Sequence, residues 1–134
     1  MTSTVRLPHD VASAAAARRR VSAEMTERQV GPRLADDVAL VVSELVANSV
    51  RHASPLKDGA VEVSWEVRND AVELWVTDGG GDAVPSPRSV GPDEVSGRGL
   101  TIVARLAANW GVEDTPSGTT VWAVVRVRAG GGKP

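Results

Sequence analysis

Residues 33–53 carry apolar side chains at three- and four-residue spacing, and this pattern constrains the fold of the chain more than any other feature. The spacing predicts a helix from about Arg33 to Ala53 with one apolar stripe. The stripe consists of Leu34, Val38, Val41, Val42, Leu45 and Val46. A helix with one apolar stripe is stable only when another layer covers that stripe, so the rest of the chain must supply this layer.

Segments with period-two alternation supply candidate strands for that layer. The segment "STVRLP" at 3–8 is short and ends in proline, which is typical of an edge strand. Residues 61–67 and 72–77 alternate on either side of "RND", which predicts a β-hairpin. The apolar segment "GTTVWAVVRVR" at 118–128 predicts a long strand in a central position.

Two further helices and one loop complete the predicted order. Asp10 is a candidate cap for a helix that runs to about Gln29, and Gly31-Pro32 ends it. The segment "GLTIVARLAANW" at 99–110 has helical periodicity, and "WGVED" after it is a candidate short strand. Residues 78–97 are dense in Gly, Pro, Ser and Asp and predict a long loop, of a length that is usually functional or mobile. The order predicts an α+β fold, a two-layer sandwich of a mainly antiparallel mixed sheet with helices on one face.

Composition excludes several classes of function. The chain has 134 residues, so we expect one domain at 1–128 followed by a flexible tail at 129–134. It contains no cysteine, which excludes disulfides, thiolate metal sites and cysteine nucleophiles. A formal net charge of −2 argues against direct nucleic-acid binding. We find neither a signal-peptide pattern nor an apolar stretch of 18 residues, so we expect a cytoplasmic protein without a membrane contact.

The segment "SELVANSVRHA" at 43–53 places polar residues along the border of the apolar stripe. Glu44 and Asn48 lie one helical turn apart, and Arg51 and His52 follow on the next turn. A solvated helix edge with an i, i+4 pair explains the first two residues. An amide oxygen that binds Mg²⁺, with a carboxylate beside it that accepts a proton, explains them as well.

Two glycine-containing segments add candidate ligand contacts. Asp78 ends a predicted strand, where its carboxylate can accept hydrogen bonds from an exocyclic amine, and Gly80 leaves room for a flat ring. Gly97 and Gly99 flank Arg98 immediately before a predicted helix, whose free N–H groups attract phosphate. Each segment is also explained without a ligand, as a plain turn and as a simple loop–helix junction.

The order of these segments is more specific than any one of them. Glu44-x3-Asn48, Asp78-x-Gly80, Gly97-x-Gly99 and "GTT" at 118–120 follow one another along the chain. This order resembles the Bergerat-type ATP-binding fold of gyrase-type ATPases, histidine kinases and anti-sigma serine kinases. Within that group, "LADDVALVVSELVANSVRHA", "VTDGGGDAVP", "GRGLTIVARLAANWGV" and "GTTVWA" resemble the anti-sigma regulatory factor family of small serine/threonine kinases.

The resemblance implies a role for each matching residue. It implies Glu44 as catalytic base, Asn48 as Mg²⁺ ligand and Asp78 with Gly80 as the adenine-binding residues. It implies that the phosphates of ATP are wrapped by Gly97, Arg98 and Gly99, with Leu100 as a further cofactor-binding residue. Thr119 or Thr120 would support the Asp78 contact through a hydroxyl group or water. Arg51 and His52 either lie next to the phosphates or compensate the helix dipole.

The resemblance also implies partners. The expected substrate is a Ser or Thr of an anti-anti-sigma (antagonist) protein, and the expected second client is a sigma factor. A homodimer is common in this family, with the first helix and the sheet edge as candidate surfaces. The chain departs from the adenine-box pattern at Asp82, where a second glycine is usual. This departure favours an alternative, a non-catalytic module that sequesters its partner with ATP as a structural ligand or without ATP.

Overall fold

A sheet covered on one face by helices forms the described part of the chain, residues 1–80 and 100–127 of a computed structural model. The strands are β1 (Thr2–Pro8), β2 (Ala60–Val67), β3 (Ala71–Asp78), β4 (Asn109–Thr115) and β5 (Gly118–Arg126). The helices are α1 (Ser13–Glu27), α2 (Pro32–His52) and α3 (Leu100–Leu106). The predicted α+β sandwich with helices on one face is confirmed. The predicted tail at 129–134 lies outside the described residues.

The strand order is β1-β2-β3-β5-β4, and each of these four neighbouring pairs is antiparallel. β1 lies at an edge, as its proline predicts, while β5 pairs on both sides. The β2–β3 pair is the predicted hairpin, with Val67 opposite Val72. This order brings the end of β3 and the start of β5 together, because Asp78 is opposite Thr119.

Alternation along the inner strands separates an apolar face from a more polar one. In β5 the side chains of Val121, Ala123 and Val125 are buried toward the helices. Residues between them, such as Thr120 and Trp122, lie on the opposite, open face of the sheet and are half-buried. The period-two pattern in the sequence therefore assigns each residue of β5 to one face.

α2 covers the centre of the sheet and contacts β2, β3 and β5, with α1 and α3 on either side. All six residues of its predicted apolar stripe are buried. Burial of each of these Val or Leu side chains stabilises the fold by about 1.5–3 kcal/mol before the entropy of ordering is counted. Both ends of α2 lie within one residue of the prediction.

Two predicted helix ends are wrong. α1 begins at Ser13, and Asp10 does not cap it, because its Oδ1 atom accepts the backbone N–H of Ala12 at 2.8 Å, before the helix starts. α3 ends at Leu106 rather than Trp110. Its apolar periodicity continues in the sequence, but the N–H of Ala108 donates to the carbonyl of Val124 at 2.8 Å, which starts the pairing of β4 with β5.

Within residues 1–80 and 100–127, none of the helices has the length and apolar character that a membrane crossing requires.

Substitution of Gly118 tests how closely β5 packs against the end of β3. A Cβ atom on Gly118 would lie 1.8 Å from the carbonyl oxygen of Asp78. We expect Gly118→Ala to lower the free energy of unfolding by about 3 kcal/mol, because the backbone must move to relieve this overlap. Gly31→Ala is the control, since a Cβ there meets no atom within 4 Å, and we expect a loss below about 1 kcal/mol. Urea denaturation measures both, and equal losses would contradict the packing argument.

Candidate functional site

Asn48 is a buried residue of α2, with 2 % of its surface exposed. Its Oδ1 atom is buried and has no hydrogen-bond partner within the described ranges. An unpaired buried acceptor is costly, by about 1–3 kcal/mol, and calls for an explanation such as an absent ligand. Glu44, one turn earlier, is half-buried.

The donor set at Asn48 fits Mg²⁺ and not a metal ion held entirely by protein. Residues 1–80 and 100–127 contain no group of three or more His, Cys, Asp or Glu side chains that could hold a metal ion. Mg²⁺ commonly binds through one or two protein oxygens while phosphates and water complete its shell. The unpaired Asn48 oxygen has the chemistry of such a ligand.

Asp78 is a carboxylate with 4 % of its surface exposed at the last position of β3. The Ser49 hydroxyl donates to its Oδ2 atom, and the N–H of Gly80 donates to Oδ1 at 2.8 Å. Burial raises the pKa of Asp78, while these two donors and the nearby His9 oppose the shift. The buried carboxylate is therefore held by two donors but keeps lone pairs for a third.

A pair of backbone hydrogen bonds joins the exit of α2 to the exit of β3. The N–H of Ser54 donates to the carbonyl of Gly80 at 2.7 Å, and the N–H of Gly79 donates to the carbonyl of Ser54 at 2.8 Å. Gly80 has a φ of +81°, in the left-handed region that favours glycine. These contacts, with the bond from Ser49 to Asp78, bring the part of α2 that carries Asn48 and Ser49 to the end of the strand that carries Asp78.

Of the two candidate threonines, only Thr119 lies beside Asp78. Thr119 is buried and directly opposite Asp78 in the β3–β5 register. Its Oγ1 atom donates to Asp114 Oδ1 at 3.1 Å. Thr120 points to the open face of the sheet, where its hydroxyl is 2.7 Å from that of Thr77, so the alternative assignment to Thr120 does not fit the geometry.

A cavity of about 390 Å³ opens at this end of the sheet. It is lined by the glycines after Asp78, by Thr119 and by the β4–β5 turn, namely Gly79, Gly80, Asp114, Thr115, Pro116, Ser117, Gly118 and Thr119. A larger cavity of about 620 Å³ shares Pro116 and Ser117 with it but extends toward Arg6 and Glu62, and these two charged groups pair with each other. The smaller cavity is lined by Thr119 and adjoins Asp78, which accepts from Ser49 beside Asn48, and we place the candidate site there.

The remaining predicted residues have different positions. Arg51 is exposed and His52 is half-buried at the C-terminal end of α2. Both roles considered for them, contact with the phosphates and compensation of the helix dipole, stay open. Leu100 is fully buried in the core as the first residue of α3, so its side chain is a packing residue. Gly97, Arg98, Gly99 and Asp82 lie outside the described residues.

Three residues of the site were not predicted. These are Ser49, which donates to Asp78, Asp114, which accepts from Thr119, and His9, whose Nε2 atom is 3.2 Å from the carbonyl oxygen of Ser49. The sequence carried a signal for Ser49 alone. Ser49 lies four residues after Leu45, so it continues the apolar stripe of α2. A hydroxyl group buried in that stripe needs a hydrogen-bond partner.

One solved structure with the same fold contains the RsbU and RsbW domains of Rv1364c from Mycobacterium tuberculosis. It aligns with a TM-score of 0.67 over 94 % of this chain and 32 % of that chain, at 17 % sequence identity. The protein thus spans about a third of that chain, and at this identity the likeness shows the fold alone. Comparison with curated proteins finds no significant match.

The family model of the histidine kinase-like ATPase domain matches residues 7–125. The match contains the candidate residues of both elements, Asn48 on α2 and Asp78 and Thr119 on the β3–β5 pair. A match over most of the chain, joined to this geometry, shows that the protein belongs to the histidine kinase-like ATPase domain family.

Proposed function

We propose that this protein binds Mg·ATP and acts as an anti-sigma regulatory kinase, transferring the terminal phosphate of ATP to a Ser or Thr of an antagonist protein. The observation that carries the proposal is the presence of two unusual buried groups where α2 meets the end of β3. Asn48 offers an acceptor without a partner, and Asp78 is a carboxylate with lone pairs to spare. ATP with its metal ion supplies a cation for the first and an amine for the second.

Asp78 is the proposed adenine-binding residue. A buried carboxylate that already accepts from Ser49 and Gly80 has a fixed orientation, and its remaining lone pairs suit the exocyclic amine of adenine. Gly80 adds no side chain, and Thr119 lies close enough that a Cβ on Gly80 would be 3.2 Å from its Oγ1 atom. This end of the site therefore suits a flat base with a donor group.

Asn48 is the proposed ligand of Mg²⁺, on α2 next to Ser49, which donates to Asp78. When bound, the metal ion would neutralise the charge of the phosphates during transfer. In the same proposal, Gly97, Arg98 and Gly99 contact the phosphates, with Arg51 and His52 as further candidates. The first three follow from the resemblance of "SGRGL" to the family motif.

Glu44 is the proposed general base. It lies one turn before Asn48 on α2, is half-buried, and has no hydrogen bond to another residue that the structure describes. A carboxylate free of partners is able to accept the proton of a Ser or Thr hydroxyl as that oxygen attacks the terminal phosphorus atom.

Transfer of a phosphate would regulate partner binding. A phosphoserine or phosphothreonine adds about −1.5 to −2 charges, which disrupts docking when it lies in the interface. The kinase would then release the antagonist and bind a sigma factor instead. This exchange, and with it a cytoplasmic location, rests on the resemblance to anti-sigma regulatory factors. The RsbW domain in the structural relative is consistent with it.

A non-catalytic module that sequesters its partner is the alternative. It is favoured by Asp82, which places a carboxylate where the family pattern has glycine. Repulsion between this carboxylate and the phosphates would weaken ATP binding. The two candidates differ at Glu44, which is needed for phosphate transfer but not for sequestration.

Asn48→Ala tests the metal-binding part of the proposal. We expect the variant to bind ATP at least about tenfold more weakly in Mg²⁺ and to lose most of the difference between Mg²⁺ and EDTA, because it lacks the ligand oxygen. Asn69→Ala, at the exposed β2–β3 turn, is the control and should bind as the wild type does. Calorimetry measures all three proteins, and an Asn48→Ala variant with unchanged affinity in Mg²⁺ would rule out this role.

Asp78→Asn should change stability and ATP binding in opposite directions. Since burial raises the pKa of Asp78, the folded state keeps a proton that the unfolded chain loses above about pH 4. This contribution to stability is present below about pH 4 and is lost as pH rises through the folded pKa. The free energy of unfolding of the wild type should therefore fall relative to Asp78→Asn between pH 4 and neutral pH.

The same substitution should weaken ATP binding at least about tenfold, because the amide lacks the charge that strengthens the hydrogen bond to the amine. Urea denaturation across this pH range and calorimetry with ATP check the two effects. Asp36→Asn, on the exposed side of α2, controls for the loss of one negative charge. A stability difference that does not change with pH would refute the assigned cost of burying Asp78.

Glu44→Gln distinguishes the two candidate functions. We expect this variant to bind Mg·ATP within about threefold of the wild type and to lose phosphate transfer by about 10²–10⁴-fold. Transfer is measured with ATP labelled at its terminal phosphate and the proteins that the wild type captures from a lysate of its native cell. Glu27→Gln, an exposed residue at the end of α1, is the control. Labelling of no captured protein by the wild type, with capture intact, would support sequestration instead.

A further inference from the structure

Three polar side chains form a row across neighbouring strands at the candidate site. Asp78 of β3 is opposite Thr119 of β5, and Thr119 is opposite Asp114 of β4. The central residue, Thr119, is 4 % exposed, and all three line or adjoin the cavity beside Gly80. A carboxylate therefore stands on each side of one buried hydroxyl.

The hydrogen-bond directions in this row are determined by its chemistry. The Ser49 hydroxyl and the Gly80 N–H both donate to Asp78, so its carboxylate only accepts. The Thr119 hydroxyl donates its one hydrogen to Asp114 Oδ1 at 3.1 Å. A hydroxyl has a single hydrogen, so the Thr119 oxygen can only accept toward the cavity while that bond is kept.

We propose that Asp114 is a positioning residue that fixes the direction of the Thr119 hydroxyl and thereby makes the site selective for a purine with an amino group, rather than a carbonyl oxygen, at position 6. The inference rests on the proposed function, in which the base lies against Asp78 and Gly80. With Asp78 and Thr119 both accepting, an amino group meets two acceptors. A carbonyl oxygen at the same place meets lone pairs and leaves buried polar groups unpaired.

Asp114 acts through Thr119 and not by its charge alone. Without its carboxylate the Thr119 hydroxyl is free to rotate and to donate to a carbonyl oxygen of the base. A 6-oxopurine would then gain a hydrogen bond that it cannot form in the wild type. The 6-aminopurine would keep its bond to Asp78, whose donors lie on α2 and at Gly80 and do not involve Asp114.

The test compares ATP with ITP, which carries a carbonyl oxygen at position 6 and a hydrogen on N1 of the base. Both ligands have the same triphosphate, so the ratio of their dissociation constants cancels any general effect of charge or stability. Calorimetry in Mg²⁺ on the full chain gives this ratio. We expect Asp114→Ala to lower the preference for ATP over ITP by about three- to tenfold, which corresponds to one hydrogen bond.

Glu113→Ala is the matched control. Glu113 is the neighbouring exposed residue of β4 and is opposite Thr120, whose side chain points to the open face of the sheet. The Glu113→Ala substitution removes the same charge without touching Thr119, so the ratio of the two dissociation constants should stay that of the wild type. In a Thr119→Val background, which has no hydroxyl to direct, Asp114→Ala should cause no further change in the ratio.

The outcomes separate this inference from the proposed function. A wild type that does not bind ATP overturns both. A wild type that binds ATP with an unchanged ratio in Asp114→Ala overturns the inference alone. The inference is also overturned if Glu113→Ala lowers the preference for ATP over ITP equally. The same holds if Asp114→Ala still lowers this preference in the Thr119→Val background. A lower ratio confined to Asp114→Ala with Thr119 intact supports it.

Discussion

The burial of the Asp78 carboxylate is the constraint on which the arrangement of the site depends. A charge removed from water must be met by donors, since an unpaired one costs several kcal/mol. One donor is the Ser49 hydroxyl on α2 and the other is the N–H of Gly80 after β3. Helix and strand must therefore meet at this point, and the backbone bonds between Ser54 and the two glycines, Gly79 and Gly80, hold them there. The apolar stripe of α2 offsets the cost by burying Val and Leu side chains over the same strands.

Much of the fold could be predicted because its signals are local. The apolar stripe of α2 and the alternation of β2, β3 and β5 are periodicities that each segment carries alone. One of the two errors arose where a distant segment decides the outcome, and the other where a local turn does. The sequence after Leu106 keeps its helical period, yet Ala108 bonds to Val124 and the helix ends. Asp10 has the chemistry of a cap, but the chain places its carboxylate before the helix, on the N–H of Ala12.

The candidate site shows the same difference between residues with a local signal and residues whose contacts depend on another segment. Asn48 and Asp78 could be named from an ordered set of motifs, because each has an unusual residue type for its place in a helix or strand. Asp114 could not, since its partner is set by the register of β4 on β5. The choice between Thr119 and Thr120 was available from the sequence. Thr119 is two residues before the buried Val121, which puts it on the helix-facing side with Asp78, whereas Thr120 must face the other way.

The two buried polar groups of the site link the stability of the fold to ligand binding. Asn48 has an acceptor without a partner among the described residues, and Asp78 carries a charge that burial disfavours. Both raise the free energy of the folded state, and in the proposed function both would be relieved by a ligand that brings a cation to Asn48 and an amine to Asp78. Such a ligand binds the folded chain and not the unfolded one, so it also stabilises the fold. A domain built in this way is most stable when its site is filled, because the polar groups that cost it stability are the ones that bind.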